Sequence, residues 1–187
     1  MPQTVSGNPL TKRLQEMDIQ ENKIVTYDKG QIALYKGDVC KYGFFVKKGC
    51  LKSYVIDKSG KEHILQFAPE NWFVSDIESL LTGNPSTTFI EAIEQTEVEL
   101  FPKSYLDNKD LMTKEDLLLQ NQKLIKNILM TNRRLASILS ATGEERYLEF
   151  LKIYPSLAQR LPLKLIASYI GVTPEYLSDI RKKLAKK

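Results

Sequence analysis

The chain has 187 residues, 42% of them hydrophobic and 27% charged, with a net charge of +4. This length and composition suffice for one ordinary folded core and a small second one. No stretch approaches the roughly 20 consecutive apolar residues of a membrane-spanning helix, and the first residues lack the apolar centre of a signal peptide. We therefore expect a cytoplasmic protein with no membrane partner.

Cysteine and histidine are scarce. Cys40 and Cys50 are the only cysteines and His63 is the only histidine, too few for a cysteine-rich zinc site or a histidine-rich catalytic metal centre. We expect no metal and no cofactor. In a reducing compartment free thiols are favoured for both cysteines, with a redox pair as the alternative.

Residues 24 to 101 predict an all-β domain. Short runs rich in β-branched and aromatic residues are separated by turn signals such as Lys29-Gly30, Lys48-Gly49 and Asp57-Lys58-Ser59-Gly60. Their regular spacing favours a closed roll or sandwich. The interval from Trp72 to Ser86 interrupts the strands with a predicted helical turn and a loop, where we expect a ligand pocket.

Residues 103 to 140 change to a helical period and contain no glycine or proline. Leu118, Leu119, Ile125 and Leu129 form a second apolar stripe, more surface than one small domain covers, so we expect this long helix to form a homodimer. Simple docking of the helix on the β domain is the alternative. The predicted dimer seam comprises Leu117, Asn121, Leu124, Ile128, Thr131, Leu135 and Ile138.

The C-terminal segment is basic. From Gln159 to the end, seven Lys/Arg oppose Glu175 and Asp179, which gives net +5 and leaves net −1 for the rest of the chain. A small basic module on a near-neutral body is typical of proteins that approach a phosphate backbone. A solvated lysine tail is the alternative interpretation.

The most informative motif is LPLKLIASYIGVTPEYLSDIRKKL, from Leu161 to Leu184. It predicts two helices joined at Gly171, where positive φ is tolerated, with Thr173 as N-cap and Pro174 at the first helical position. Leu177, Ile180 and Leu184 face inward. Such a helix-turn-helix places its second helix in the DNA major groove.

With Gly30-Gln31, the Asp57-to-Glu62 turn and the Gly83 loop, this motif makes the chain resemble the Crp/Fnr family of transcription regulators along nearly its full length. The resemblance implies an α+β protein of three parts. These are a cyclic-nucleotide-binding-type, jelly-roll-like double-stranded β-roll (1–106), a dimerisation helix (107–141) and a winged-helix-type helix-turn-helix domain (142–187). It also implies binding to double-stranded DNA and to RNA polymerase, and no enzyme activity.

The resemblance breaks down at the cyclic AMP site. Family members hold the phosphate with Gly-Glu and Arg-Ser pairs, which read Ser75-Asp76 and Ser86-Thr87 here. Asp76 retains a carboxylate for a ribose hydroxyl, but the phosphate has no arginine. The base-contacting hydroxyls of the long helix align with Leu129 and Met130. We therefore expect a different effector, or none. The effector-pocket candidates are Ser75, Asp76, Ser86, Thr87, Leu129 and Met130.

The second helix of the motif supplies the DNA-contact candidates. The resemblance aligns Glu175 with a base-contacting glutamate, which would accept a hydrogen bond from cytosine N4. The flanking arginines of the family are Pro174 and Asp179 here, so the operator of a relative does not carry over. The full candidate set is Thr173, Glu175, Tyr176, Ser178, Asp179, Arg181, Lys182 and Lys183, with solvated surface as the alternative for the two lysines.

Two other functions remain as alternatives. Asp179 motivates a small-molecule or cyclic-nucleotide binding protein whose helix-turn-helix no longer binds DNA. A cupin-type enzyme would share the β-roll, but one histidine supplies no convergent set of metal ligands.

Overall fold

The computed structural model describes residues 23–104 and 113–185. Its first part contains eight short strands and a short helix. The strands are β1 (Ile24–Tyr27), β2 (Ile32–Leu34), β3 (Tyr42–Lys48), β4 (Leu51–Ile56), β5 (Glu62–Ala68), β6 (Phe73–Val74), β7 (Phe89–Ala92) and β8 (Thr96–Pro102), with helix α1 (Ile77–Thr82) between β6 and β7.

The strands form two antiparallel four-stranded sheets, ordered β1-β8-β3-β6 and β2-β7-β4-β5. Apolar side chains from both sheets fill the space between them, among them Val46, Leu51, Ile90 and Val98, all fully buried. The predicted β-roll is confirmed. The sequence did not reveal β6, because two residues are too few to show an alternating pattern.

Helices make up the second part: α2 (Lys114–Ser140), α3 (Gly143–Ile153), α4 (Leu157–Arg160), α5 (Leu163–Ile170) and α6 (Pro174–Leu184). The long helix is present from Lys114 to Ser140. Residues 105–112 and the side chains of Leu119 and Leu124, which the sequence also assigned to it, lie outside the described set. The α+β class is confirmed, and residues 113–185 contain helices and no strand, so no wing strand lies within this range.

The helical part packs on the outer face of the sheet β2-β7-β4-β5. Phe67 of β5 is completely buried and contacts the rings of Phe150, Tyr154 and Tyr169, with centroids 5.4–6.3 Å away. The two parts therefore share one hydrophobic cluster. One sheet faces the interior of the roll on one side and the helix-turn-helix on the other.

Side chains from two helices hydrogen-bond to the edge of β5 that does not pair with another strand. Ser168 of α5 accepts from the Ile64 amide at 3.3 Å and donates to the Glu62 carbonyl at 2.8 Å. Arg134 of α2 donates to the carbonyls of Leu65 and Ile64, and also to that of Tyr169 on α5. Because buried backbone groups are costly without partners, these bonds fix β5 against both helices.

No helix in the described ranges combines the length and apolar character needed to span a membrane. Cys40 and Cys50 are both buried and form no disulfide.

Candidate nucleic-acid interface

The turn between α5 and α6 has the geometry that the sequence predicts. Gly171 ends α5 in the left-handed conformation, with φ 69° and ψ 43°. Thr173 caps α6: its backbone is extended and its hydroxyl accepts from the Tyr176 amide at 3.2 Å. Pro174 follows as the first helical residue. The orientation of α6 is thus set at a defined residue.

One face of α6 packs inward and the opposite face is open. Leu177 and Ile180 are buried, and Leu184 packs against the same cluster. At 3.6 residues per turn, Glu175, Asp179 and Lys182 lie along the centre of the exposed face, and Arg181 and Tyr176 lie at its two sides. All five are exposed, whereas Ser178 is half-buried and its hydroxyl donates to the Pro174 carbonyl.

The cations of α6 differ in their partners. Lys182 lies 3.8 Å from Asp179 on the same helix, and Lys183 contacts Glu144 of α3 at 2.6 Å. The Glu144 carboxylate raises the pKa of Lys183. Arg181 forms no ion pair within residues 23–104 and 113–185, so its charge is the most available for a phosphate.

Gly143, the first residue of α3, allows α6 to approach closely. A Cβ built on it would lie 2.7 Å from Tyr176 Cε1, 3.2 Å from Val172 Cγ1 and 3.4 Å from Ile180 Cδ1. Thr142 and Glu145 fix the start of α3 through a reciprocal capping box. The sequence does not reveal this role of Gly143, because its contacts are with residues about 30 positions further along the chain.

A groove of about 280 Å³ borders the start of α6. Its walls come from Gly60, Lys61 and Glu62 of the β4–β5 hairpin and from Lys164, Ser168, Thr173 and Pro174 of the helix-turn-helix, together with apolar side chains. The sequence did not assign Lys61 or Lys164 to the site. The position of Lys164 in the first turn of α5 was a local signal for it, whereas only the tertiary structure places Lys61 there.

Helix α2 presents an uncovered apolar stripe. Of the predicted seam residues, Ile128 and Leu135 are 60% and 57% exposed, Ile138 is 42% exposed, and Asn121 and Thr131 are also open. Leu117 is half-buried. The stripe continues with Leu118, Ile125, Leu129 and Leu139. Docking on the β domain therefore does not cover this helix.

The predicted effector loop is built around Asp76, which is almost fully buried. Its carboxylate accepts from the amides of Ser79 and Thr87 and from the hydroxyls of Ser86 and Thr88, at 2.8–3.3 Å. Burial alone would raise the pKa of Asp76, but these hydrogen bonds outweigh it and lower the pKa. Asp76 thus caps α1 and ties the following loop, and a ribose hydroxyl would have to displace these donors.

The other effector candidates are more dispersed. Ser75 lies 3.4 Å from the Tyr42 carbonyl and 3.5 Å from the Cys40 sulfur, and Thr87 is exposed. Leu129 and Met130 lie on α2, where Leu129 is half exposed. The contacts that the structure describes do not join these two residues to the loop. The structure brings together Asp76, Ser86 and Thr87.

Known proteins are similar to this chain over both of its parts. A family model described as a cyclic nucleotide-binding domain matches residues 24–109. The chain is 27% identical to the anaerobic regulatory protein of Pasteurella multocida, a match that covers 95% of this chain and 70% of that protein. It is 28% identical to the fumarate and nitrate reduction regulatory protein of Vibrio cholerae, over 95% and 76% of the two chains.

Solved structures share the fold over both parts. FixK2 from Bradyrhizobium japonicum aligns with a TM-score of 0.73 at 20% identity, over 88% of this chain and 84% of that one. TTHA1359 of Thermus thermophilus, described as a transcriptional regulator of the CRP/FNR family, aligns with a TM-score of 0.64 at 18% identity, over 88% and 86%.

Proposed function

Because this chain belongs to the Crp/Fnr family of transcription regulators, we propose that it binds duplex DNA as a symmetric dimer through helix α6 and thereby controls transcription. Relatives and structural neighbours are regulators rather than enzymes. A regulator of this kind acts in the cytoplasm, where the DNA is, and its second partner would be RNA polymerase.

The observation that carries this proposal is the open polar face of α6. Its start is fixed by the Thr173 cap, its apolar side is buried at Leu177 and Ile180, and its outer face has no protein neighbour across Glu175 and Lys182 among the described residues. A short, rigidly held helix with an uncovered polar face fits the width of the major groove. Arg181 and Tyr176, at the sides of that face, would meet the phosphates that border the groove.

The uncovered stripe on α2 supports the dimer. Ile128, Leu135 and Leu139 are each more than half exposed, and large contiguous apolar surfaces of this kind mark protein–protein interfaces. A two-fold pair of subunits would present two copies of α6 about one DNA turn apart and recognise a near-palindromic site. Asn121 within the stripe would fix the register of the two helices.

We expect that any effector differs from cyclic AMP bound in the usual family mode, or that there is none. The phosphate position lacks an arginine, and the hydrogen bonds of Asp76 are made within the protein. Any effector would therefore recognise the roll through other groups, or the regulator would respond to protein concentration alone. A bound effector would act by changing the angle between the paired α2 helices, and hence the spacing of the two α6 helices.

The test is selection of duplexes from a random-sequence library with the purified protein, followed by fluorescence anisotropy on the selected duplex. We expect affinity that falls steeply with salt. R181A should weaken binding by roughly 10- to 150-fold, because a hydrogen bond between charged groups contributes about 1.5–3 kcal/mol. R133A, which removes an exposed arginine of α2, should not. Absence of any selected or salt-dependent binding would refute the proposal.

A further inference from the structure

We propose that the β4–β5 hairpin of the β-roll is part of the DNA-binding surface, with Lys58 and Lys61 contacting phosphates beside the major groove that α6 enters. This inference rests on the proposed DNA binding and extends it to a segment that lies outside the helix-turn-helix. The partner is the sugar-phosphate backbone, which carries no sequence information.

The β4–β5 hairpin and the start of α6 line one groove. Lys61 lines the same groove as Lys164, Thr173 and Pro174, so the hairpin lies beside the first turn of α6. In a helix-turn-helix complex this turn is the part of the helix closest to the base edges. A duplex seated on α6 would therefore bring a phosphate strand to the hairpin. The N-terminus of α6 adds a favourable dipole for the same anions.

The hairpin is held rigidly in this position. Asp57 accepts from the Ser59 amide and hydroxyl and from the Lys61 amide, and it also contacts the His63 ring at 2.7 Å. At the base of the hairpin, Ser168 of α5 bonds both the Glu62 carbonyl and the Ile64 amide. A preorganised hairpin loses little conformational freedom when a ligand binds.

The hairpin and the start of α5 carry exposed positive charges. Lys58, Lys61 and Lys164 are exposed, and none of the three forms an ion pair within residues 23–104 and 113–185. The acidic groups nearby are already engaged: Glu62 pairs with Lys52 at 2.7 Å, and Asp57 is bonded within the hairpin. The lysines of α6, by contrast, contact Asp179 and Glu144. The hairpin and the start of α5 thus hold cations that are free for phosphates.

The experiment measures the salt dependence of binding to the selected duplex for the wild type and for K58Q/K61Q. Its matched control is K29Q/K36Q, which removes two exposed lysines that flank β2 at the opposite edge of the same sheet. Each lost phosphate contact lowers the slope of log affinity against log salt by about 0.9. We expect K58Q/K61Q to lower the slope by roughly 2 to 4 per dimer, and the control to leave it near the wild-type value.

Three outcomes would count against the inference. If K58Q/K61Q and K29Q/K36Q lower the slope by the same amount, only the overall charge of the protein matters. A wild-type slope for K58Q/K61Q would show that the hairpin does not touch DNA, and tighter binding by this variant would show that the hairpin obstructs the duplex. If the wild type binds no duplex at all, the proposed function fails instead.

Discussion

The guanidinium of Arg134 stacks on the ring of Tyr169, with Cζ 4.1 Å from the ring centroid, and donates to the carbonyl of the same residue at 2.9 Å. Its remaining bonds go to Ile64 and Leu65 of β5. The register of β4 and β5 shifts at this point, between the pairs Ser53–Gln66 and Tyr54–Ile64, so Leu65 lies at a bulge. One side chain of α2 therefore joins the sheet β2-β7-β4-β5 to the helix-turn-helix.

Replacement of Arg134 should loosen this junction. R134A removes donors from three carbonyls, and we expect it to lower the free energy of unfolding by roughly 2–4 kcal/mol in urea titrations. R134K keeps the charge but not the planar fork, so it should recover only part of the loss. R133A, the neighbouring exposed arginine, should change stability by less than about 0.5 kcal/mol. Equal effects of R134A and R133A would contradict this role.

A second junction between the two parts should depend on pH. Arg160 of α4 donates to both carboxylate oxygens of Glu70, at 2.8 and 2.9 Å, and also to Glu94. The Arg160 guanidinium lowers the pKa of Glu70. A lowered folded-state pKa means that the stabilisation is present above the ordinary glutamate value of about 4.3 and is lost as pH falls below it.

Accordingly, E70Q should have a lower free energy of unfolding than the wild type at pH 7. The difference should be roughly 0.5–1 kcal/mol, as expected for a solvent-exposed ion pair. The margin should close as the pH falls below about 4, where the wild-type carboxylate also becomes neutral. E97Q serves as the control, since Glu97 forms no ion pair among the described residues. A margin that stays constant from pH 7 to about pH 3.5 would rule out the ion pair as its cause.

Gly143 and Tyr176 should be energetically coupled. In G143A the new methyl group meets the Tyr176 ring at 2.7 Å, and overpacking of this kind costs about 1–3 kcal/mol. The helix preference of alanine offsets up to about 1 kcal/mol of that. We expect a net loss in the wild type and a smaller loss or a gain in the Y176A background, measured as a double-mutant cycle.

The control for this cycle is G43A, because a Cβ at Gly43 would find its nearest neighbours at an ordinary 3.9 Å. If G143A has the same effect with and without the Tyr176 ring, the close approach of α3 and α6 is not what limits this position.

Polar substitutions on the exposed stripe of α2 should separate the subunits. I128N/L135N places two amides where the partner helix would pack, and we expect a monomer in sedimentation velocity and a loss of DNA affinity. I56N, at a partly exposed apolar position on β4, should leave the dimer intact. A wild type that sediments as a monomer at micromolar concentration would contradict the dimer.

The sequence by itself determined the parts whose cause is local. Turn residues marked the breaks between strands of the β-roll, and the Gly171, Thr173 and Pro174 signals set the turn and the start of α6. These features depend on the φ preferences and hydrogen bonds of near neighbours, which a short window of sequence contains. The exposed residues of α6 followed from the helical period, except for Ser178, which is half-buried and bonds to the Pro174 carbonyl.

Only the tertiary structure decided how the parts meet. The contacts of Ser168 with Glu62 and Ile64, of Arg134 with β5, and the placement of Lys61 beside Thr173 join residues about 70 to 110 positions apart. No local pattern encodes such pairs, because they arise when two apolar faces, one on a sheet and one on a helix pair, are buried against each other. The same holds for Asp76, whose carboxylate is occupied only once the loop to Thr88 has closed over it.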